Sequence, residues 1–151
     1  MRAPLSGHVT RAEVLAATGF VAPALEILDT RVMRSDPFTG KTRTIVDTIA
    51  DNAANAGVVL GVQRHRPDVF DLRWVGAIIA CNGVVEETGL GAGVMNHPAQ
   101  GIRWVCRRFA PHGIGLEPGQ LILSGSFTRP VIVRAGLRPA PTACHIGPDF
   151  P

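Results

Sequence analysis

Glu26 stands inside the apolar run Val21-Ala22-Pro23-Ala24-Leu25-Glu26-Ile27-Leu28, with Gly19 before it and the polar residues Asp29-Thr30-Arg31 after it. A short apolar run bounded in this way reads as a strand buried on both faces. Withdrawing a lone ionised carboxylate from water costs several kcal/mol. Glu26 therefore has to be paired, protonated or holding a cation. Arg31 is the cation that an ion pair would use, and the alternative is a metal ligand. A second group of polar residues, Asp47, Asp51, Asn52 and Asn55, falls in an otherwise small and apolar stretch. Side-chain capping of backbone groups is one turn of chemistry that explains such density. A third is Ser124-Gly125-Ser126-Phe127-Thr128-Arg129-Pro130, whose hydroxyls and backbone N–H groups suit an anion.

Other chemistries find less support. The five histidines have no metal-ligand spacing, and Cys81, Cys106 and Cys144 form no C-x-x-C pair. Widely separated cysteines argue for reduced thiols rather than a zinc knuckle or a disulfide framework. Gly89-Leu90-Gly91-Ala92-Gly93 lacks the third glycine of a dinucleotide fingerprint at position 94 and the acidic residue about 20 positions on. Ser124 and Ser126 lack the G-x-S-x-G context of a nucleophile elbow. Lys41 is the single lysine, so it alone offers an amine base or Schiff-base former.

The elements that must position these groups alternate between short helices and strands. Thr10-Arg11-Ala12-Glu13 fits a capping box that opens a helix to about Ala17, with Gly19 ending it. The Glu26 strand follows, then a turn at 35–40, a helix from about Thr48, and a strand at Val58-Val59-Leu60. Strands at 72–80 and 84–88 are joined by Asn82-Gly83, the strongest short hairpin signal. Glu86 and Glu87 on the return strand read as an exposed edge. Pro98 opens a helix whose stripe is Ile102, Val105, Cys106 and Phe109, and Pro111-His112-Gly113 stops it. Leu121-Ile122-Leu123 and Val131-Ile132-Val133 read as two further strands. Pro139, Pro141 and Pro148 would interrupt a central strand.

Pro23 to Arg31, the block 47–61, Asn96-His97-Pro98-Ala99 and the Ser124 loop together resemble the hydratase and decarboxylase branch of the fumarylacetoacetate hydrolase superfamily. The likeness spans 5–134. It implies an α+β fold with a mixed, strongly curved β-sheet of that superfamily's C-terminal-domain type, over a domain at 1–136 and an atypical tail at 137–151. It also implies a lyase dependent on Mg²⁺ (or Mn²⁺) that hydrates a 2-oxo-alkenoate diacid to a 4-hydroxy-2-oxo diacid in the breakdown of aromatic compounds. In such enzymes the ion is held by three carboxylates, chelates the substrate's 2-oxo and 1-carboxylate oxygens, and favours the enolate.

By that resemblance Glu26 matches the third metal carboxylate, Asp47 and Asn52 match catalytic positions, and Gly125 and Ser126 match substrate contacts. Arg43, at the exit of the Asp36–Thr44 insert with Arg34 and Lys41 nearby, is a candidate for the distal carboxylate, which guanidinium can grip in bidentate fashion. The hydrolase branch carries a Lys where this chain has Thr44, which argues against C–C hydrolysis. The family's E-x-E carboxylate pair and active-site lysine belong to a segment before the matched blocks and are not among these residues. The competing expectation is a non-catalytic remnant that at most binds other subunits.

Composition sets the remaining bounds. With 151 residues, 46% apolar and 18% charged, the chain is the size and make-up of one globular domain. Its net charge of +3 is scattered, which argues against nucleic acid as a partner. The longest apolar run, 75–81, is far too short to span a bilayer, and no signal peptide opens the sequence. A cytoplasmic homo-oligomer acting on a small 2-oxo diacid, with no membrane partner, is the expectation.

Overall fold

A computed structural model describes residues 1–133 and the backbone of 139–145. The chain divides into two compact units, one formed by Met1–Val21 with Arg64–Pro151 and the other by Ala22–Gln63.

In the larger unit, α1 (Arg11–Ala17) opens on the predicted capping box: Thr10 Oγ1 accepts from the Glu13 N–H, and Glu13 accepts from the Thr10 N–H at 2.6 Å. The long helix of this unit, Ala99–Phe109, packs on α1 around a core of Leu5, Val14, Ala17, Ala99, Cys106 and Leu116. Leu5 and Leu116 exchange backbone hydrogen bonds of 2.9 and 2.7 Å, closing that core from below. Past the helix a 3₁₀ turn runs through Pro111, and Gly113 takes the left-handed conformation, as its sequence suggests.

The smaller unit is a two-stranded antiparallel ribbon, β1 (Ala24–Leu28) on β2 (Asn55–Leu60), with Glu26 opposite Val58 and an irregularity between Ile27 and Leu28. Between them lies α2 (Ile45–Ala50), capped by Thr44 and Asp47 as a reciprocal box. β1 was expected to be buried on both faces. Instead Glu26 is exposed and Ile27 and Leu28 are about half exposed, at 50% and 51%. The physical reason is that a two-stranded ribbon has no second layer of its own to bury a face against.

The hairpin forms as read: β3 (Gly76–Cys81) and β4 (Val84–Leu90) meet through Asn82 and Gly83, both at positive φ (50° and 83°), the requirement of a type I′ turn. β5 (Pro139–His145) adds to the other side of β3, giving the order β4-β3-β5. Two of the prolines expected to break a central strand thus lie in a strand, but at an edge of its sheet, where the missing N–H can face away from the ladder. Pro148 lies outside the described residues. With the helix Ala99–Phe109 named α3, the architecture is α+β. Among the described residues every ladder is antiparallel, in a two-stranded and a three-stranded sheet, where one mixed sheet was expected. A two-residue hairpin permits only antiparallel pairing, and parallel neighbours need a crossover of a dozen residues or more.

Neither Leu121-Ile122-Leu123 nor Val131-Ile132-Val133 is a strand, and Ile132 is 78% exposed. Both are apolar enough for a strand but pair with no neighbour among the described residues. No helix among them is long and apolar enough to cross a membrane.

Candidate functional site

Four of the predicted site residues, Glu26, Arg43, Asp47 and Asn52, sit in the smaller unit. Glu26 does not pair with Arg31. Its Oε1 accepts a hydrogen bond of 2.7 Å from Asn55 Nδ2, across the ribbon. Arg31 turns to Asp51: Nε donates to Oδ1 at 2.6 Å, the Arg31 backbone N–H donates to Oδ2 at 3.1 Å, and Nη2 donates to the Asp51 carbonyl at 2.6 Å. Asp51 is almost fully buried, at 4%. Burial pushes its carboxyl up, but the Arg31 hydrogen bonds and charge prevail and hold it below the usual carboxylate range.

Asp47 is half-buried, and its Oδ2 accepts from the Thr44 N–H at 2.7 Å and from Thr44 Oγ1 at 2.8 Å. Those bonds, with the charge of Arg43, lower its carboxyl, so Asp47 is ionised near neutral pH. Asn52 is exposed and opens a turn in which Asn52, Ala53 and Ala54 all take positive φ (51°, 52° and 65°). Left-handed backbone costs roughly 1–2 kcal/mol for each residue that carries a Cβ, and such runs are rare outside glycine. Arg43 is half-buried, its backbone N–H donates to the Arg34 carbonyl at 2.9 Å, and its Nη1 is buried with no hydrogen-bond acceptor.

Gly125 and Ser126 belong to the larger unit. Ser126 Oγ donates to the Thr128 carbonyl at 2.8 Å, closing the loop on itself, and Gly125 takes φ 120° beside Val94. This loop is seated by glycine. A Cβ on Gly89 in β4 would lie 1.7 Å from the Phe127 carbonyl oxygen, and one on Gly101 in α3 would lie 2.7 Å from the Ser124 carbonyl oxygen. Arg129 Nε meets Glu87 Oε1 at 3.0 Å, so Glu87, read as plain edge, anchors the end of the loop. Gly89 of the apparent dinucleotide fingerprint thus has a packing role, as does Gly91, where a Cβ would lie 2.0 Å from the Leu72 carbonyl oxygen.

Sequence reasoning missed Asn55 as the partner of Glu26 and Asp51 as the partner of Arg31. Neither had a local signal, since each pair is at least 20 residues apart. The Thr44–Asp47 box did have one, a Thr followed three places later by an acid. Among the described residues no group of three or more His, Cys, Asp or Glu could hold a metal ion. Glu26 offers one hard oxygen ligand suited to Mg²⁺, but a complete protein-built site does not assemble from these residues.

In sequence and fold the chain is similar to the hydratase and decarboxylase branch of the fumarylacetoacetate hydrolase superfamily. It is 53% identical over 134 residues to 2-oxo-hept-4-ene-1,7-dioate hydratase of Escherichia coli, a match covering 88% of this chain and 50% of that protein. It is 38% identical over 130 residues to 2-hydroxyhexa-2,4-dienoate hydratase of Comamonas testosteroni, covering 86% of this chain and 47% of the relative. Among solved structures, 4-oxalocrotonate decarboxylase from Pseudomonas putida G7 in complex with magnesium and adipate superposes with a TM-score of 0.78 at 30% identity, over 90% of this chain and 50% of that one. The chain spans about half the length of the curated relatives it matches. No family model matches it.

Proposed function

We propose that this chain is a portion of a hydratase that adds water to 2-oxo-hept-4-ene-1,7-dioate, giving a 4-hydroxy-2-oxo diacid in aromatic catabolism. The observation that carries the reading is the 53% identity with the Escherichia coli hydratase, against 30–38% with the decarboxylases and shorter-substrate hydratases. The chemistry is a proton rearrangement followed by addition. A proton leaves C3 and one arrives at C5, bringing the double bond into conjugation with the 2-oxo group. Water then delivers its hydroxyl to C4 and its proton to C3.

In this reading Asp47 accepts a proton. Its carboxyl, held down by the Thr44 hydrogen bonds, is ionised at neutral pH and can take a proton but has none to give. Asn52 orients the substrate from its exposed turn. Arg43 meets the distal carboxylate, a role supported by the buried Nη1 that has no acceptor. Mg²⁺ is the cofactor of the reading and Glu26 its ligand among the described residues. Among the described residues no group of three or more His, Cys, Asp or Glu assembles to complete a metal site around it. The curved-sheet architecture, the cytoplasm as location and a homo-oligomer complete the proposal. The exposed Ile45, Val46 and Ile49 of α2 are apolar surface of the kind that oligomers cover.

The test is a chimaera in which the matched 134 residues of the Escherichia coli hydratase are replaced by those of this chain. It should hydrate the seven-carbon diacid, and Arg43→Ala in it should raise KM for that diacid far more than for a monoacid analogue. A folded chimaera without hydration overturns the function, and equal KM effects overturn the Arg43 role. The chain assayed alone with Mg²⁺ or Mn²⁺ should turn over far below the roughly 10 s⁻¹ of an ordinary enzyme. Loss of even one preorganised electrostatic group commonly costs about 10²–10³ in rate.

A further inference from the structure

We propose that Arg31 is a positioning residue for Glu26, acting through the left-handed turn Asn52–Ala54 and through Asn55. Its functional weight rests on the role given to Glu26 above.

The turn is the most constrained backbone in the smaller unit: three successive residues at positive φ, none of them glycine, with Ala54 buried. Such a turn persists only where its surroundings fix both ends. Arg31 does this. Its Nη2 donates to the carbonyl of Asp51, immediately before the turn, while Nη1 and Nη2 reach the carbonyl of Asn55, immediately after it, each at 3.3 Å. Nε holds the Asp51 carboxylate at 2.6 Å. One planar guanidinium therefore spans the turn from entrance to exit, and the Asp29 N–H fixes the Ala54 carbonyl between them at 2.9 Å.

The residue so fixed is Asn55, whose main chain takes the Arg31 fork and whose side chain donates to Glu26 Oε1 at 2.7 Å. Glu26 is exposed, so no packing holds its carboxylate. Its orientation comes from Asn55, and the place of Asn55 comes from Arg31. A lysine at position 31 would keep the charge for Asp51 but could not reach both carbonyls, because an ammonium is a compact point charge rather than a fork.

The test is read on the side-chain amide of Asn55 by NMR in the full chain, without metal or substrate, so its result is independent of whether the hydratase reading stands. In the native chain Glu26→Gln should shift the Asn55 Hδ2 resonances, since it replaces a charged acceptor. In Arg31→Lys that sensitivity to Glu26→Gln should be lost while the far-ultraviolet spectrum and cooperative melting remain. Should Arg31→Lys fail to fold, the same comparison is made with Ala53→Gly added, which relieves the left-handed strain at an exposed position. A merely structural role predicts a lower melting temperature with the Glu26 dependence of Asn55 intact. That outcome, in either background, overturns the proposal.

Discussion

Gly89→Ala should displace the Ser124–Arg129 loop and destabilise the chain, although it swaps the smallest residue for the next smallest in a strand. The new Cβ would lie 1.7 Å from the Phe127 carbonyl oxygen and 2.7 Å from its carbonyl carbon. Carbon and oxygen atoms rest at roughly 3.5 Å, so the loop or the strand has to retreat by about 1.8 Å. Both partners are backbone, and no flexible side chain can swing aside. Overpacking of this kind costs about 1–3 kcal/mol. Removing a strand glycine returns roughly 0.5–1 kcal/mol of backbone entropy. The clash wins, leaving a net loss of about 1–2 kcal/mol, and at roughly 2–4 °C per kcal/mol the melting temperature should fall by several degrees. Gly93→Ala is the control: its nearest neighbour would be the Phe127 Cβ at 3.5 Å, an ordinary contact, so it should change stability by less than about 0.5 kcal/mol. Calorimetry gives the melting temperatures, and amide hydrogen exchange over 124–128 reports the loop. Equal melting and equal exchange for the two variants would refute the claim that glycine at 89 seats the loop.

Thr44→Ala should remove the cap of α2 at a cost of about 1 kcal/mol, and Thr44→Ser should restore most of it. Because no residue of α2 is buried, the loss should appear as faster amide exchange at Asp47 and Thr48 more than as a lower melting temperature. Stability should fall as pH drops below about 6.5, through His97. Burial and the charges of Arg11 and Arg73 lower its folded pKa, with Asp71 opposing, and its Nδ1 accepts the Ala99 N–H at 3.1 Å. The neutral form therefore stabilises the fold above the unfolded pKa, and that contribution is lost as pH falls through the folded value. His97→Gln should flatten this limb of the profile measured by urea unfolding. A second loss should follow between about pH 4 and 2, where Asp71, held at about 2 by hydrogen bonds from Arg73, takes up its proton. Asp71→Asn should reduce it, the lowered carboxyls of Asp47 and Asp51 contributing to the rest.

The features legible in the sequence share one property, namely that their causes lie within a few residues of one another. The Thr10–Glu13 box, the Asn82-Gly83 turn, and the Pro98 and Gly113 ends of α3 each depend on local backbone chemistry. Apolar runs become strands unevenly because a strand needs a partner that the run itself does not reveal. Val58-Val59-Leu60 finds β1, whereas Leu121-Ile122-Leu123 pairs with nothing among the described residues. The proline-rich stretch 139–145 reads as a strand breaker and still pairs, because at an edge one side of the backbone has no ladder to satisfy.

The carboxylate at 26 shows where local reading ends. Were Glu26 buried, as its apolar neighbours suggest, its isolated charge would have to find a cation. Exposure removes the premise: solvent already satisfies most of the charge, and a neutral amide from Asn55 suffices to hold it. The burial penalty falls instead on Asp51, 4% exposed, and the strongest cation contact in the unit is spent there. Arg31 follows the more costly carboxylate, as the energetics require, because leaving a buried acid unpaired costs more than leaving an exposed one so. Choosing between two acids for one arginine thus turns on which is buried. That is a property of the ribbon and its turn together, and no spacing along the chain encodes it.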